Sequence, residues 1–162
     1  MAKSDSLMRM GHRERLREKF KAGFLDDADE LELLLTYIIQ RRDVRILARR
    51  LKQRFGSAYN TILANGDDIM AVDGAGPGVA LFFKLLRSIL ERGYSEHVFE
   101  VQVFKDPETI KNYCRTKMAH KRTEEMHVMY LDAHGRVMSE EINDVGTVNK
   151  ANVYPDKILA RA

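Results

Sequence analysis

Apolar residues at helical spacing dominate the first 94 residues and predict a bundle of short helices. In residues 44–55 they recur every three or four positions, and Gly56 then supplies a helix terminator. The same pattern predicts helices over His12–Lys21 and from an N-cap at Asp27 or Asp29 to about residue 38. Further helices are expected to begin at Asp43, Ser57, Asp67 or Asp68, and Pro77. Helices are expected to end near Asn65-Gly66 and, after Arg92, at Gly93.

The pattern changes after residue 94. Residues 97–104 (HVFEVQVF) have the composition of a strand, and Asp106-Pro107 opens a helix through about Met118. Strands over residues 126–131 and 136–142, joined by the turn Asp132-Ala133-His134-Gly135, form a predicted β-hairpin, and Pro155 opens a last helix. We therefore predict an α+β protein, with a helical domain in residues 1–94 and a second domain in residues 95–162.

A glycine-rich turn, Gly74-Ala75-Gly76-Pro77-Gly78, joins two of the predicted helices. Glycine permits positive φ and close approach of another backbone, and the helix that follows offers free N–H groups at its positive end. The turn is typical of a helix-hairpin-helix, which holds a nucleic-acid phosphate without reading bases. The alternative is that Gly74, Gly76 and Gly78 only let two helices cross closely. A dinucleotide-binding motif is disfavoured because the run before the glycines is helical.

Positive charge is concentrated in the same half of the chain. The net charge is +3, and residues 1–94 hold 17 Lys and Arg against 13 Asp and Glu. Residues 41–54 hold seven basic residues and one acidic residue. Four of the basic residues lie on one side of the predicted third helix, namely Arg41, Arg45, Arg49 and Lys52. This basic stripe is compatible with phosphate binding, with an acidic protein partner, or with simple solvation.

The composition excludes some kinds of bond and metal site and indicates where the protein is located. One cysteine, Cys114, allows no internal disulfide and no four-thiolate zinc site, and its position within a helix indicates a structural thiol. No apolar run reaches eighteen residues, and the N-terminal residues have no apolar signal region. These features predict a cytoplasmic protein without a membrane partner.

Several segments together resemble the RadC family. In the helical half these are GHRERLREKF (residues 11–20), DELELLL (29–35), RRDVRILARRLKQRFGS (41–57) and MAVDGAGPGVALFFKLL (70–86). Residues 124–162 are similar to the opening of the family's JAB/MPN metalloprotease-like domain, with Leu131-Asp132 and VGTVN (145–149) as the specific matches. The resemblance implies a partial α/β, cytidine-deaminase-like second domain. The family name is associated with DNA repair, and no residue here demonstrates repair chemistry.

The resemblance also implies a zinc-dependent hydrolase in a full-length family member. There a Glu on the first strand acts as general base, while a His-x-His pair and an Asp hold zinc. The matching carboxylate is Glu124, or Glu125 if the register shifts by one. The His-x-His pair and the Asp follow, in the family, the helix that here reaches Ala162, and none of the five histidines lie two residues apart. We therefore expect no family-type zinc site and no hydrolase activity in these 162 residues.

Three functions follow as hypotheses. The chain is the inactive N-terminal part of a peptidase-like zinc hydrolase, a module that binds DNA without sequence preference, or a module that binds another protein. We also expect the incomplete second domain to expose a strand edge and an apolar face, which favours self-association.

Overall fold

The computed structural model describes residues 11–40, 42–99, 102, 105–146 and 155–160. The chain divides into two compact units, residues 1–85 and residues 86–162. The domain boundary after residue 94 stays a prediction. The described residues form helices and a two-stranded sheet, which confirms the α+β class. No helix within the described ranges has the length and hydropathy needed to cross a membrane.

The first unit is helical, as the apolar spacing predicts. Its elements are α1 (His12–Lys21), α2 (Asp27–Ile38), α3 (Arg45–Phe55), α4 (Ala58–Leu63), α5 (Gly66–Met70) and the first part of α6 (Pro77–Val98). The core of this unit is built from side chains that are at most 1% exposed, among them Leu16, Leu31, Leu35, Leu51, Ile69 and Phe83. Burial of each such side chain stabilises the fold by about 1.5–3 kcal/mol, so this apolar face fixes the bundle.

Side-chain caps begin three of the helices described in this unit, α2, α4 and α5. The side chain of Ser57 accepts a hydrogen bond from the N–H of Asn60 at 3.0 Å, which confirms Ser57 as the cap of α4. Gly56 ends α3 with a φ of +87°, also as predicted. The N-cap of α2 is Asp26, so the prediction of Asp27 or Asp29 was wrong. The Asp26 side chain accepts from the N–H groups of Ala28 and Asp29 at 2.8 and 2.9 Å.

Two other predicted caps are corrected. Val44 holds the N-cap position of α3, while the carboxylate of Asp43 accepts from the N–H of Arg45 at 2.9 Å. Asn65 begins a helix rather than ending one, because its side chain accepts from the N–H of Asp67 at 2.9 Å. Helix α5 therefore starts at Gly66 instead of Asp67 or Asp68.

Helix α6 begins at Pro77 as predicted and continues past its predicted end. Gly93 does not terminate it, and residues 97–98 of the predicted strand are helical. Val98 is fully buried against Tyr113 and Val137, so tertiary packing extends the helix across the glycine. Of the remaining predicted strand, Gln102 forms an isolated bridge with Arg136, and residues 100, 101, 103 and 104 lie outside the described residues.

The second unit contains the last part of α6, α7 (Pro107–Met118), β1 (Glu125–Leu131), β2 (Val137–Val145) and α8 (Pro155–Leu159). Asp106 caps α7 by accepting from the N–H of Thr109 at 3.1 Å, as predicted. The strands pair antiparallel, with Met129 opposite Glu140 and irregularities at Met126/His127 and Tyr130/Leu131. The predicted β-hairpin is confirmed, with β2 extending three residues beyond its predicted end. This register brings polar side chains of both strands towards α7.

Candidate functional site

The glycine turn forms a compact corner between α5 and α6. The N–H of Ala75 donates to the carbonyl oxygen of Val72 at 2.9 Å, and Gly74 has a φ of +93°. The carbonyl oxygen of Gly76 then accepts from the N–H groups of Val79 and Ala80 at 3.0 and 3.2 Å, which starts α6. Val72, Ala75, Val79 and Ala80 are buried and anchor the corner, whereas its outer surface consists of the exposed Gly74, Gly76, Pro77 and Gly78.

Close packing does not explain the glycines of this turn. A Cβ added at Gly74 would lie 3.8 Å from Cδ1 of Leu47, an ordinary contact, so glycine is favoured there by its positive φ. A Cβ added at Gly76 or Gly78 would meet nothing within 4 Å. The alternative that these two glycines serve a close helix crossing therefore has no support in the packing, and the surface at the start of α6 is open.

Arg50 of α3 joins that helix to the turn. Its Nη1 atom donates to the carbonyl oxygen of Asp73 at 3.0 Å and to the Asp73 carboxylate at 2.6 Å. Arg50 is not among the binding residues predicted from the sequence. The sequence did carry one indication of this role. Arg50 lies three residues after the core residue Leu47, so both side chains lie on the side of α3 that faces the turn.

The predicted basic stripe lies elsewhere on α3. Because a helix rotates by about 100° per residue, Arg49 projects about 100° away from Arg50. Arg45 is engaged by Asp43, with Nε at 3.0 and 2.9 Å from the two carboxylate oxygens, and this contact lowers the pKa of Asp43. Lys52 is half-buried, Arg49 is exposed and Arg41 lies outside the described residues. The side chain that the structure brings to the turn is therefore Arg50.

In the second unit, the two candidate carboxylates, Glu124 and Glu125, differ in exposure and in hydrogen-bond partners. Glu124 precedes β1, its side chain is exposed, and its carbonyl oxygen accepts from the N–H of Gly146 at 2.9 Å. Glu125 is the first residue of β1, and its side chain is 11% exposed. Hydrogen bonds from Lys121 and then His127 lower the pKa of Glu125. Glu125 is thus held as an ionised partner of two basic groups, while Glu124 is accessible.

His127 lies between two carboxylates. Its Nε2 atom is 2.9 Å from Oε2 of Glu125, which lies on the same face of β1, and its Nδ1 atom is 2.8 Å from Oε1 of Glu140 on β2. His127 therefore links the carboxylate of Glu125 on its own strand to that of Glu140 on the neighbouring strand.

Glu140 is the centre of this network. Its side chain is 9% exposed and accepts hydrogen bonds from Nζ of Lys117 at 2.6 Å and from the hydroxyl of Tyr113. Burial on its own would raise the pKa of Glu140, but hydrogen bonds from Lys117, Tyr113 and His127 outweigh it and the net pKa is lowered. This network could not be predicted from the sequence, because its members come from α7, the loop after α7, β1 and β2. We call it the Glu140 network: Tyr113, Lys117, Lys121, Glu125, His127 and Glu140.

The described residues do not fit a zinc ion. No group of three or more His, Cys, Asp or Glu side chains within them has an arrangement that could hold a metal. In the Glu140 network, two lysines balance the two carboxylates, which is the composition of an ion-pair cluster. Cys114 is half-buried beside the small apolar core of the unit, and burial raises the pKa of its thiol, in agreement with a structural role.

These features define a helical unit with a hairpin turn, followed by a mixed unit with a β-hairpin. A family model described as the RadC-like JAB domain matches residues 104–162. A UPF0758 protein of Fusobacterium nucleatum subsp. nucleatum is 36% identical, in an alignment that covers 93% of this chain and 69% of that protein. No solved structure matches the chain. The chain belongs to the RadC family.

Proposed function

We propose that this RadC-family protein binds the phosphate backbone of nucleic acid through the turn between α5 and α6. The observation that carries the proposal is the open surface at Gly76 and Gly78, where a Cβ would meet nothing within 4 Å. A phosphate group approaching there meets the N-terminal end of α6, where backbone N–H groups and the helix dipole favour an anion. Contacts of this kind read no bases, so binding is independent of sequence.

The charges around the turn set the strength of this binding. Asp73 carries an exposed carboxylate that opposes a phosphate, and Arg50 neutralises it through the 2.6 Å ion pair. Lys84 is exposed and lies seven residues after Pro77, on the same side of α6. Asp67 and Asp68 of α5 add negative charge close to the turn in sequence, so Arg50 and Lys84 do not make it strongly positive. We expect weak binding at physiological salt that strengthens as salt is lowered.

The test is fluorescence anisotropy with two duplexes of unrelated sequence. The variant Gly78→Glu places a carboxylate at the phosphate position, and the open space and ordinary φ at Gly78 allow the fold to persist. A loss of about 1.4 kcal/mol would weaken both duplexes roughly tenfold. The matched control is Gly93→Glu in the same helix, where a Cβ also meets nothing within 4 Å, and its affinity should stay near that of the wild type.

Two results would reject the proposal: no binding at low salt, or equal affinity in the two variants. A preference for one duplex over the other would reject sequence independence. Nuclease treatment separates this function from protein binding, because an interaction that survives it involves a protein partner.

A second function follows from the match of residues 104–162 to the RadC-like JAB domain. We propose that Glu124 supplies the general base of a zinc-dependent hydrolase in the whole protein, with metal ligands from residues beyond position 162. Its exposed position just before β1 supports Glu124 over Glu125, which is tied to Lys121 and His127. The 162 residues alone should then bind no stoichiometric zinc. One equivalent of zinc per purified chain in atomic absorption would contradict this.

A further inference from the structure

A cavity of about 480 Å³ opens in the helical unit, away from the glycine turn. It lies between the start of α1, the middle of α2 and the segment before α3. Its volume is within the range of small-molecule sites. The charged and titratable side chains that line it are His12, Arg13, Glu32, Arg42, Asp43 and Arg45.

The carboxylates of this cavity are already engaged by basic side chains. Glu32 is only 7% exposed, and its Oε1 atom is 2.7 Å from Nε2 of His12. Asp43 is held by Arg45, with contacts of 3.0 and 2.9 Å to Nε. Three guanidinium groups face two carboxylates in the lining, so the cavity is net positive before any charge on His12 is counted.

The buried Glu32 indicates that the side chains on this side of the cavity are held in fixed positions. A carboxylate taken out of water is costly unless it is paired, and its partner is therefore held in place. Here the partner is the imidazole of His12 at the mouth of the cavity, whose side chain is 42% exposed. The Nη2 atom of Arg13 donates to the carbonyl oxygen of Arg42 at 3.2 Å, which fixes the position of a second basic group.

We propose that this cavity binds the phosphate or pyrophosphate group of a small anionic ligand. Guanidinium groups present a planar fork of donors that matches phosphate oxygens, and three arginines line this concave surface. The same chemistry is offered by a free nucleotide and by the 5′-phosphorylated end of a nucleic acid. The site uses a different surface from the turn between α5 and α6, and it stands independently of that function.

Inorganic pyrophosphate is the probe for this site. Isothermal titration at low ionic strength should give binding to the wild-type chain, and the double variant Arg13→Gln, Arg42→Gln should bind at least about tenfold more weakly, since it loses two charge-assisted donors. Lys21→Gln is the control, because it removes one positive charge from an exposed position of α1 outside the cavity. No binding to the wild type, or an equal loss in the control, overturns the proposal.

A second measurement needs no variant. Pyrophosphate should shift the ring-proton NMR signals of His12 and leave those of the exposed His134, in the other unit, unchanged; equal shifts or none overturn the proposal.

Gly78→Glu should retain pyrophosphate binding, so failure at the turn is distinguishable from failure here. Tighter binding of a 5′-phosphorylated than of a 5′-hydroxyl oligonucleotide assigns the ligand to a nucleic-acid end, and equal affinities with retained pyrophosphate binding assign it to a free nucleotide.

Discussion

Glu140 shows how a single side chain organises charge in the second unit. It lies on β2 and is only 9% exposed, yet it has partners on α7 and on β1. A buried ion of this kind is tolerated only with its partners present, because removing one partner leaves an uncompensated charge. The contribution of Glu140 is therefore measurable by deleting its charge while keeping its shape.

Glu140→Gln should lower the free energy of unfolding by about 2 kcal/mol, because Lys117 and His127 lose an ionised partner in a low-exposure site. Urea denaturation measures this change. The control is Glu108→Gln, which removes a surface ion pair with Lys111 and should cost about 0.5 kcal/mol or less. Equal losses in the two variants would contradict the central role assigned to Glu140.

The difference between wild type and Glu140→Gln should also depend on pH. The folded-state pKa of Glu140 is lowered from its ordinary value of 4.5, so its stabilisation is fully present above that value. It is lost as the pH falls through the lowered folded-state pKa. The two unfolding curves should thus converge as the pH falls below 4.5 and separate towards neutral pH. A gap that stays constant between pH 3 and 7 would contradict stabilisation by the ionised carboxylate of Glu140.

At the scale of helices and strands, Ser57, Asp106 and Pro77 begin helices both in the prediction from the sequence and in the structure, because a cap or a fixed φ acts within one turn. Other local signals were wrong: the N-caps of α2 and α3 are Asp26 and Val44, and Asn65 begins a helix instead of ending one. A larger failure occurs where distant residues decide the outcome. Gly93 has the chemistry of a terminator, but the burial of Val98 beside Tyr113 and Val137 continues α6 through it.

This reasoning predicts opposite effects for two glycines. Gly93→Ala should raise the free energy of unfolding by roughly 0.5–1 kcal/mol, because an interior helical glycine with open space around it gains helix propensity as alanine. Gly56→Ala should instead lower it by about 1 kcal/mol, because the φ of +87° at this helix end is strained for alanine. Thermal and urea unfolding of both variants measure the pair. Destabilisation by Gly93→Ala would mean that α6 ends near Gly93.

At the scale of the whole molecule, the sequence indicated the glycine turn and the Glu124 or Glu125 carboxylate as candidate sites, but it did not indicate their tertiary contacts. The glycine turn is contiguous in sequence, so its shape and exposure could be predicted from local rules. The contact between Arg50 and Asp73 spans 23 residues, and that between His127 and Glu140 joins two strands through their register. Such contacts depend on tertiary packing, which the spacing of residues along the chain does not encode.

The salt dependence of duplex DNA affinity, compared between wild type and Gly78→Glu, tests phosphate binding at the turn most directly. For the wild type, the logarithm of the association constant should fall linearly with the logarithm of salt concentration. In the variant, affinity should be lower and the slope shallower by about one, the value expected for one lost phosphate contact. An affinity that is unchanged between about 50 and 200 mM salt, or identical slopes for the two proteins, would contradict the account.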